Sequence, residues 1–372
     1  MKNNIVISKS PGRINIIGEH TDYNDGYVLP AAIDKASTFK MTKNGSKTNV
    51  NVKSIDMGNS YSFELDNFKP IKGGWENYVM GVAHELQNIG ASIEGFDAEF
   101  SGDIPVGAGM SSSAALECSL AFGLNEMFNL GLDHWKIIKV SQMAEHNFVG
   151  IKCGIMDQFA SVMGKKDHVM LLDCRTLEFK YFPLDLGEYE LLLLNTNVSH
   201  ELASSEYNTR RTECEQGVSI LKAKYADIQN LRDVSLNMLQ ENTSIIPSQI
   251  FNRCHHVITE NNRVLSATDA LVKKDFKELG KLIYQSHFSL QNDFAVSCPE
   301  LDYLVQLTID KEYVLGSRMM GGGFGGCTLN LIEKKSRDQF IKLASEGYRN
   351  TFKMQLSPYF VSTEDGARII NK

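Results

Sequence analysis

The sequence predicts a mixed α and β fold of about two domains, and three observations carry that prediction. The 372 residues are 42% hydrophobic and 22% charged, an ordinary globular balance with material for a large core, and the length alone suggests about two units. Segments with strand-like alternation or short apolar runs are separated by stretches with apolar residues at helical spacing. No internal repeat or low-complexity tract interrupts them, and the eight prolines are dispersed. A formal net charge of -7 argues against a general nucleic-acid binder, which needs a basic footprint to offset phosphates. No apolar run approaches the roughly 20 residues that cross a bilayer, and the opening MKNNIVISKS has no signal-like apolar core, so the expected address is the cytoplasm. Seven cysteines, odd in number and without a C-x-x-C pair, read as reduced thiols. Cys254, His255 and His256 are adjacent and lack the spacing of zinc ligands.

The first element of interest, Pro11 to Asp34, sets Arg13, Glu19, His20, Asp22 and Asp25 among turn-forming glycines and returns at once to apolar residues. Each of these side chains costs free energy away from water unless it finds a partner, and a sugar offers hydroxyls to donors and acceptors alike. Taken alone, the segment reads as a solvated turn between two strands. Phe96, Ala98 and Phe100 alternate as in a half-buried strand. Gly102 to Ser119 then runs from a strand through a glycine-rich loop into a helix. Gly107 and Gly109 let the backbone approach a ligand, the helix start offers free N–H groups, and Ser111, Ser112 and Ser113 add hydroxyls, so the segment suits an anion, although glycine loops and serine caps also begin ordinary helices. No lysine follows the glycines, which disfavours the P-loop.

Leu116, Leu120, Leu124 and Met127 place a helix over Ser112 to Phe128, and Asp133 caps a second through Ile137, Val140 and Ala144. In Ala144 to Gly164, Asp157 falls in the first turn of a helix with Phe159 and Val162, where an acid serves the helix dipole or acts as a reactive carboxylate. Val169 to Leu172 and Leu191 to Leu194 are short runs suited to buried strands, with a boundary near residue 185 between them. Long amphipathic helices follow. Gly316 to Leu331 closes the series, with five glycines in six residues around Phe324 and then a strand-like alternation. Such a turn can press its backbone on a ligand or simply pack two strands.

These three polar or glycine-rich segments resemble the three motifs of the GHMP small-molecule kinases, and GRINIIGEHTDYNDGYVLPAAID resembles the signature of the galactokinase family. The resemblance spans nearly the whole chain, through WENYVMGV at Trp75 to Val82, CGIMDQF at Cys153 to Phe159, HELASSEYNTRR at His200 to Arg211 and SHFSLQNDFAVSCPELD at Ser286 to Asp302. It implies an α+β, two-domain GHMP kinase fold: an N-terminal ribosomal-protein-S5-like α/β domain over residues 1–185, a C-terminal ferredoxin-like α+β domain over 186–372, and the site in the cleft between them. The implied reaction moves the γ-phosphoryl group of ATP, with magnesium, to the anomeric hydroxyl of α-D-galactose. The implied partners are those two small molecules, for a monomer that engages neither nucleic acid nor membrane.

By position, the resemblance makes Asp157 and Arg13 the catalytic pair, and an arginine beside an aspartate favours its charged form, a weak base. A loose transition state tolerates late proton acceptance by such a base. Glu19, His20, Thr21, Asp22, Gly154 and Tyr207 are implied sugar contacts, with Asp22 bridging neighbouring hydroxyls. Ser54 and Trp75 would line the base pocket, Gly107, Ala108, Gly109, Met110, Ser111, Ser112 and Ser113 the phosphates, and Ser113 with Glu145 would hold magnesium. Val106 and Met110 stand where leucines are usual, Gln291-Asn292 where an Arg-Asp pair is common, and Met320 where threonine is frequent. Three other readings compete: a galactose and ATP sensor without turnover, a related sugar-1-kinase acting on N-acetylgalactosamine or arabinose, and a structural domain with glycine turns. The ordered set of motifs is unexplained by the last.

Overall fold

The computed structural model describes residues 5–198 and 203–370. A six-stranded sheet is built in the order Arg368–Ile369, Val6–Asn15, Pro30–Lys43, Phe96–Gly102, Asn49–Ser54, Ser60–Glu64. Every neighbouring pair is antiparallel except Asn49–Ser54 with Phe96–Gly102. Val6–Asn15 and Pro30–Lys43 pair from Val6↔Met41 to Asn15↔Pro30, with an irregularity between Pro11 and Arg13 that re-aims the strand end. The alternation at Phe96, Ala98 and Phe100 holds: all three are buried, against helices on one face of the sheet.

Those helices are Glu76–Asn88, Ser112–Phe128, His134–Ala144 and Met156–Met163. Ser112–Phe128 is buried nearly all round, as a helix in the middle of a layer must be. Its Gly123 makes the close approach to the sheet possible, since a Cβ there would lie 1.9 Å from the end of Met41. Asp133 caps the next helix, accepting from the Lys136 N–H at 2.8 Å. A three-stranded sheet, Tyr27–Val28, His168–Asp173 and Phe179–Pro183, completes this half.

In the second half a four-stranded antiparallel sheet runs Val314–Met319, Cys327–Glu333, Tyr189–Asn195, Ser357–Phe360. One of its faces packs on Ile14, Ile16, Leu29 and the helix Phe276–Ser289, and the other on Pro299–Gln306 and Arg337–Phe352. Its inner strands are therefore buried on both sides. That is why Leu191 to Leu194 read as a continuous apolar run, and why Cys327 to Ile332 are buried throughout instead of alternating between core and solvent as expected. Helices Ala203–Lys222 and Ser248–Val272 form a separate cluster on the side facing the first half.

The expected boundary near residue 185 falls between Phe179–Pro183 and Tyr189–Asn195, strands of two different sheets. The chain crosses back over it at its end. Thr363 bridges Ile33, Ser8 pairs with Ile369, and the Ile370 N–H reaches the Ile7 carbonyl at 2.9 Å, so the last segment is an edge strand of the first sheet.

Candidate active site

Arg13 emerges just beyond the irregularity of the first strand, and Asp157 stands in the first turn of Met156–Met163. They meet as a two-pronged pair, Nε to Oδ1 at 2.7 Å and Nη2 to Oδ2 at 2.9 Å. The third prong of Arg13 donates to the Gly109 carbonyl in the glycine loop. Strand and loop also touch through backbone: the Arg13 N–H donates to Met110 at 3.1 Å, and a Cβ on Gly12 would lie 2.5 Å from that same oxygen. Ser111, with φ of 57°, turns its hydroxyl back to donate to Asp157 Oδ2 at 2.5 Å. Its hydroxyl thus serves the aspartate, whereas the resemblance placed it among the phosphate contacts.

A cavity of about 140 Å³ opens beside this pair, walled by Glu19, His20, Asp22, Glu145, Gly154, Tyr207 and Gly322. Asp22 accepts the Tyr23 N–H at 3.0 Å. Burial, and then the charge of Asp157, pushes its carboxyl up to about 6 against the pull of the Tyr23 and Met156 N–H groups. Gly154 makes room for it: a Cβ there would lie 2.0 Å from the Asp22 carboxyl carbon. Tyr207 lies against His20 and Tyr23 with ring centroids 5.2 and 5.4 Å apart. Residues 200–202 of the HELASSEYNTRR segment lie outside the described residues.

Burial lowers the His20 pKa to about 3, so the ring is neutral. With Nε2 3.2 Å from the Gly322 carbonyl and Nδ1 2.8 Å from the Tyr23 hydroxyl, Nε2 carries the proton and Nδ1 accepts from the tyrosine. Two expected sugar contacts are engaged elsewhere. Thr21 is fully buried, its hydroxyl donating to the Gly18 and Tyr27 carbonyls at 2.9 and 2.6 Å, so it closes the turn from behind. Glu19 reaches the cavity wall, but Oε1 already accepts from Arg318 at 3.0 Å and the Gly321 N–H at 2.8 Å, and Oε2 from Asn15.

A second cavity of about 300 Å³ lies on the other side of the glycine loop, lined by Ser54, Trp75, Phe100, Val106, Ser112 and Ser113 among others. Trp75 is held edge-on to Phe100 with centroids 5.0 Å apart and donates to Asn59 at 3.1 Å. Ser54 is fully buried, its hydroxyl accepting the Met57 N–H at 3.3 Å. In the loop, Gly107 and Gly109 have φ of 75° and 73°, and Ala108 and Met110 bury their side chains in the core, which leaves backbone as the loop's contribution. Ser111 caps none of the helix N–H groups with its side chain. The start of Ser112–Phe128 therefore keeps its free donors and partial positive charge. The glycine turn lies against the loop: a Cβ on Gly109 would sit 2.9 Å from the Met320 carbonyl, and one on Gly321 3.3 Å from the Gly109 Cα. The turn thus presses its backbone on another loop and also forms part of the first cavity's wall.

Ser113 and Glu145 stand 3.4 Å apart between the two cavities. Glu145 opens a π-helical turn, Glu145–Val149, and its Oε2 accepts from Gln158 at 2.9 Å and from the Cys153 thiol at 3.4 Å. Burial, then Asp157, pushes its carboxyl up to about 7, which a neighbouring cation would reverse. A hydroxyl and a carboxylate fit magnesium, a hard ion that keeps waters and takes phosphate oxygens. Among the described residues no group of three acidic, histidine or cysteine side chains is poised to hold a metal, so phosphates and water would supply the other ligands.

Sequence reasoning named Tyr207 and the glycine turn from the second half but missed the residues there that hold the Glu19 turn. Arg318, fully buried, donates to the Ile16 carbonyl at 2.8 Å, to the Met319 carbonyl at 2.7 Å and to Asn15, besides pairing with Glu19. His256 meets the Glu19 carbonyl at 3.1 Å, Glu260 accepts the Gly18 N–H at 3.0 Å, and Asn261 accepts the Tyr27 N–H at 2.8 Å. The signal for Arg318 was a lone arginine in an apolar strand beside the glycine turn.

Residues 77–165 match the GHMP kinases N terminal domain, 267–350 the GHMP kinases C terminal domain, and 2–43 the galactokinase galactose-binding signature. Fold and cleft together are those of a GHMP kinase, a two-domain ATP-dependent small-molecule kinase; a mevalonate kinase structure at 18% identity shares the architecture with a TM-score of 0.67. The galactokinase of Clostridium tetani is 43% identical over 360 residues, 96% of this chain and 91% of that one. That of Thermotoga maritima is 40% identical over 97% of this chain and 99% of its own. A crystal structure of Lactococcus lactis galactokinase complexed with galactose aligns with a TM-score of 0.94 at 34% identity, covering 98% of this chain and 95% of that one. Within the GHMP kinases, the chain belongs to the galactokinase family.

Proposed function

We propose that the chain transfers the γ-phosphoryl group of ATP to the C1 hydroxyl of α-D-galactose, giving galactose 1-phosphate and ADP, the entry step of galactose breakdown by the Leloir pathway. The observation that supports this best is the convergence of Arg13, Asp22, Asp157 and the Gly109 carbonyl at the first cavity, with the second across the glycine loop. Asp22, Gly154 and Tyr207 wall the sugar side, and the Ser112 helix start with Trp75 forms the nucleotide side. ATP as co-substrate supports the cytoplasmic address expected from the sequence.

In this reading Asp157 accepts the C1 hydroxyl proton as the new O–P bond forms, while the old O–P bond breaks and its electrons leave with ADP. Arg13 joins that carboxylate to the phosphate loop, so one fixed cation lies beside both acceptor and phosphoryl group, and Ser111 fixes the second carboxylate oxygen. Alignment and charge stabilisation are the main contributions when the transition state is loose. Magnesium held through Ser113 and Glu145 would neutralise charge on the phosphate oxygens. Asp22 accepts from neighbouring sugar hydroxyls and discriminates their arrangement, because a buried acceptor left unpaired by the wrong epimer is costly. Phosphorus NMR of the product tests the assignment: an anomeric phosphate is expected, and a phosphate on the C6 oxygen would overturn it.

A further inference from the structure

Asp25 is a charged residue of the first segment that the cleft does not use. It sits at the exit of the turn carrying Asp22, with φ of 58°, a left-handed conformation rarely adopted by residues other than glycine. Its backbone carbonyl accepts from Arg232 Nη1 at 3.3 Å, and its carboxylate meets Asn230 and, at 3.7 Å, Arg175. The Arg232 guanidinium lies 3.5 Å from the centroid of the Tyr27 ring and pairs through Nη2 with Asp173 at 3.1 Å. Arg175 in turn pairs with Asp233 at 2.8 Å. Arg232 comes from the second half, Asp25 and Tyr27 from the sugar segment, and Asp173 from the strand that pairs with Tyr27.

We propose that Arg232 is a positioning residue for the sugar site: by stacking on Tyr27, holding the Asp25 carbonyl and anchoring on Asp173, it fixes the exit of the Asp22 turn and so the place of Asp22. Most exposed ion pairs contribute little, but Arg232 and Asp173 are each only 19% exposed at the side chain, and the guanidinium joins three segments at one point. The position of Asp22 has little slack, since it fills the volume that a Cβ on residue 154 would take. The stack and the fork need a flat guanidinium, so a lysine replaces the charge alone.

This proposal rests on Asp22 acting as a sugar acceptor, and the test separates the two. R232M, R232K and D22A are compared with the parent enzyme by steady-state kinetics for each substrate and by thermal melting. R232M is expected to raise the galactose KM roughly tenfold while kcat and the ATP KM change by less than about twofold, with R232K intermediate, as for a displaced binding group. D22A raises the galactose KM more. A galactose KM unchanged in R232M but raised in D22A would overturn the role of Arg232 alone, as would an equal rise of both KM values in R232M with a lowered melting temperature. An unchanged galactose KM in D22A would overturn the role of Asp22 and this proposal with it.

Discussion

Asp157 has each oxygen engaged by a donor, and in the proposed mechanism those donors aim it at the acceptor and the phosphoryl group. Replacing it by asparagine should lower kcat by roughly 10²–10⁴, the usual contribution of a positioned acid–base group, while galactose binding by calorimetry largely survives. Near-normal turnover would remove the residue from the chemistry. Asp22 gives a pH signature. Its carboxyl is moved from an ordinary 3.8 to about 6, so the unliganded fold favours the protonated form. That contribution to stability is full below the unfolded value and is lost as pH rises through about 6. Binding of sugar hydroxyls by the charged form runs the other way, so kcat/KM for galactose should rise through the same range, and Asp22→Asn should flatten that limb. A limb that persists unchanged in the variant would assign it to another group.

The glycine-rich segments act by the side chains they lack. Gly154→Ala should raise the galactose KM by about tenfold or more, because the added methyl takes the place of the Asp22 carboxylate, with the ATP KM little changed. Kinetics for both substrates check this. The same logic explains what could be read from sequence. Hydrogen-bonding residues packed among glycines, and serines at a helix start, mark unused capacity, so the Asp22 turn, the glycine loop and the Asp157 helix could be singled out as segments without coordinates, while the roles expected of them came from the resemblance. Thr21 closes its own turn, and a hydroxyl that does so looks the same in sequence as one that faces a ligand. Arg318 carried no local sign of its partner, since Glu19 lies 299 residues away. The last strand, Arg368–Ile369, is too short to show any period, and its return to the first sheet is a property of topology.

The second half of the chain closes over the Pro11 to Asp34 segment of the first, and Arg318–Glu19 is a fully buried ion pair between them. Arg318→Met should destabilise the protein by about 3–5 kcal/mol in denaturant unfolding, because it leaves a buried carboxylate without its cation. Adding Glu19→Gln should recover part of that loss, and strictly additive losses would show that the two do not act as a pair. Tyr207, Gly321 and Gly322 of the second half complete the wall of the cavity beside Arg13, and Ser113 and Glu145 stand between it and the second cavity, so the central claim concerns one crevice that joins sugar to nucleotide. The measurement that tests it most directly is ADP release followed across a panel of monosaccharides, with magnesium withheld in one arm. ADP should appear rapidly with galactose, far more slowly with its C4 epimer glucose, and not at all without magnesium; release at the same rate with every sugar, or with none added, would contradict the account.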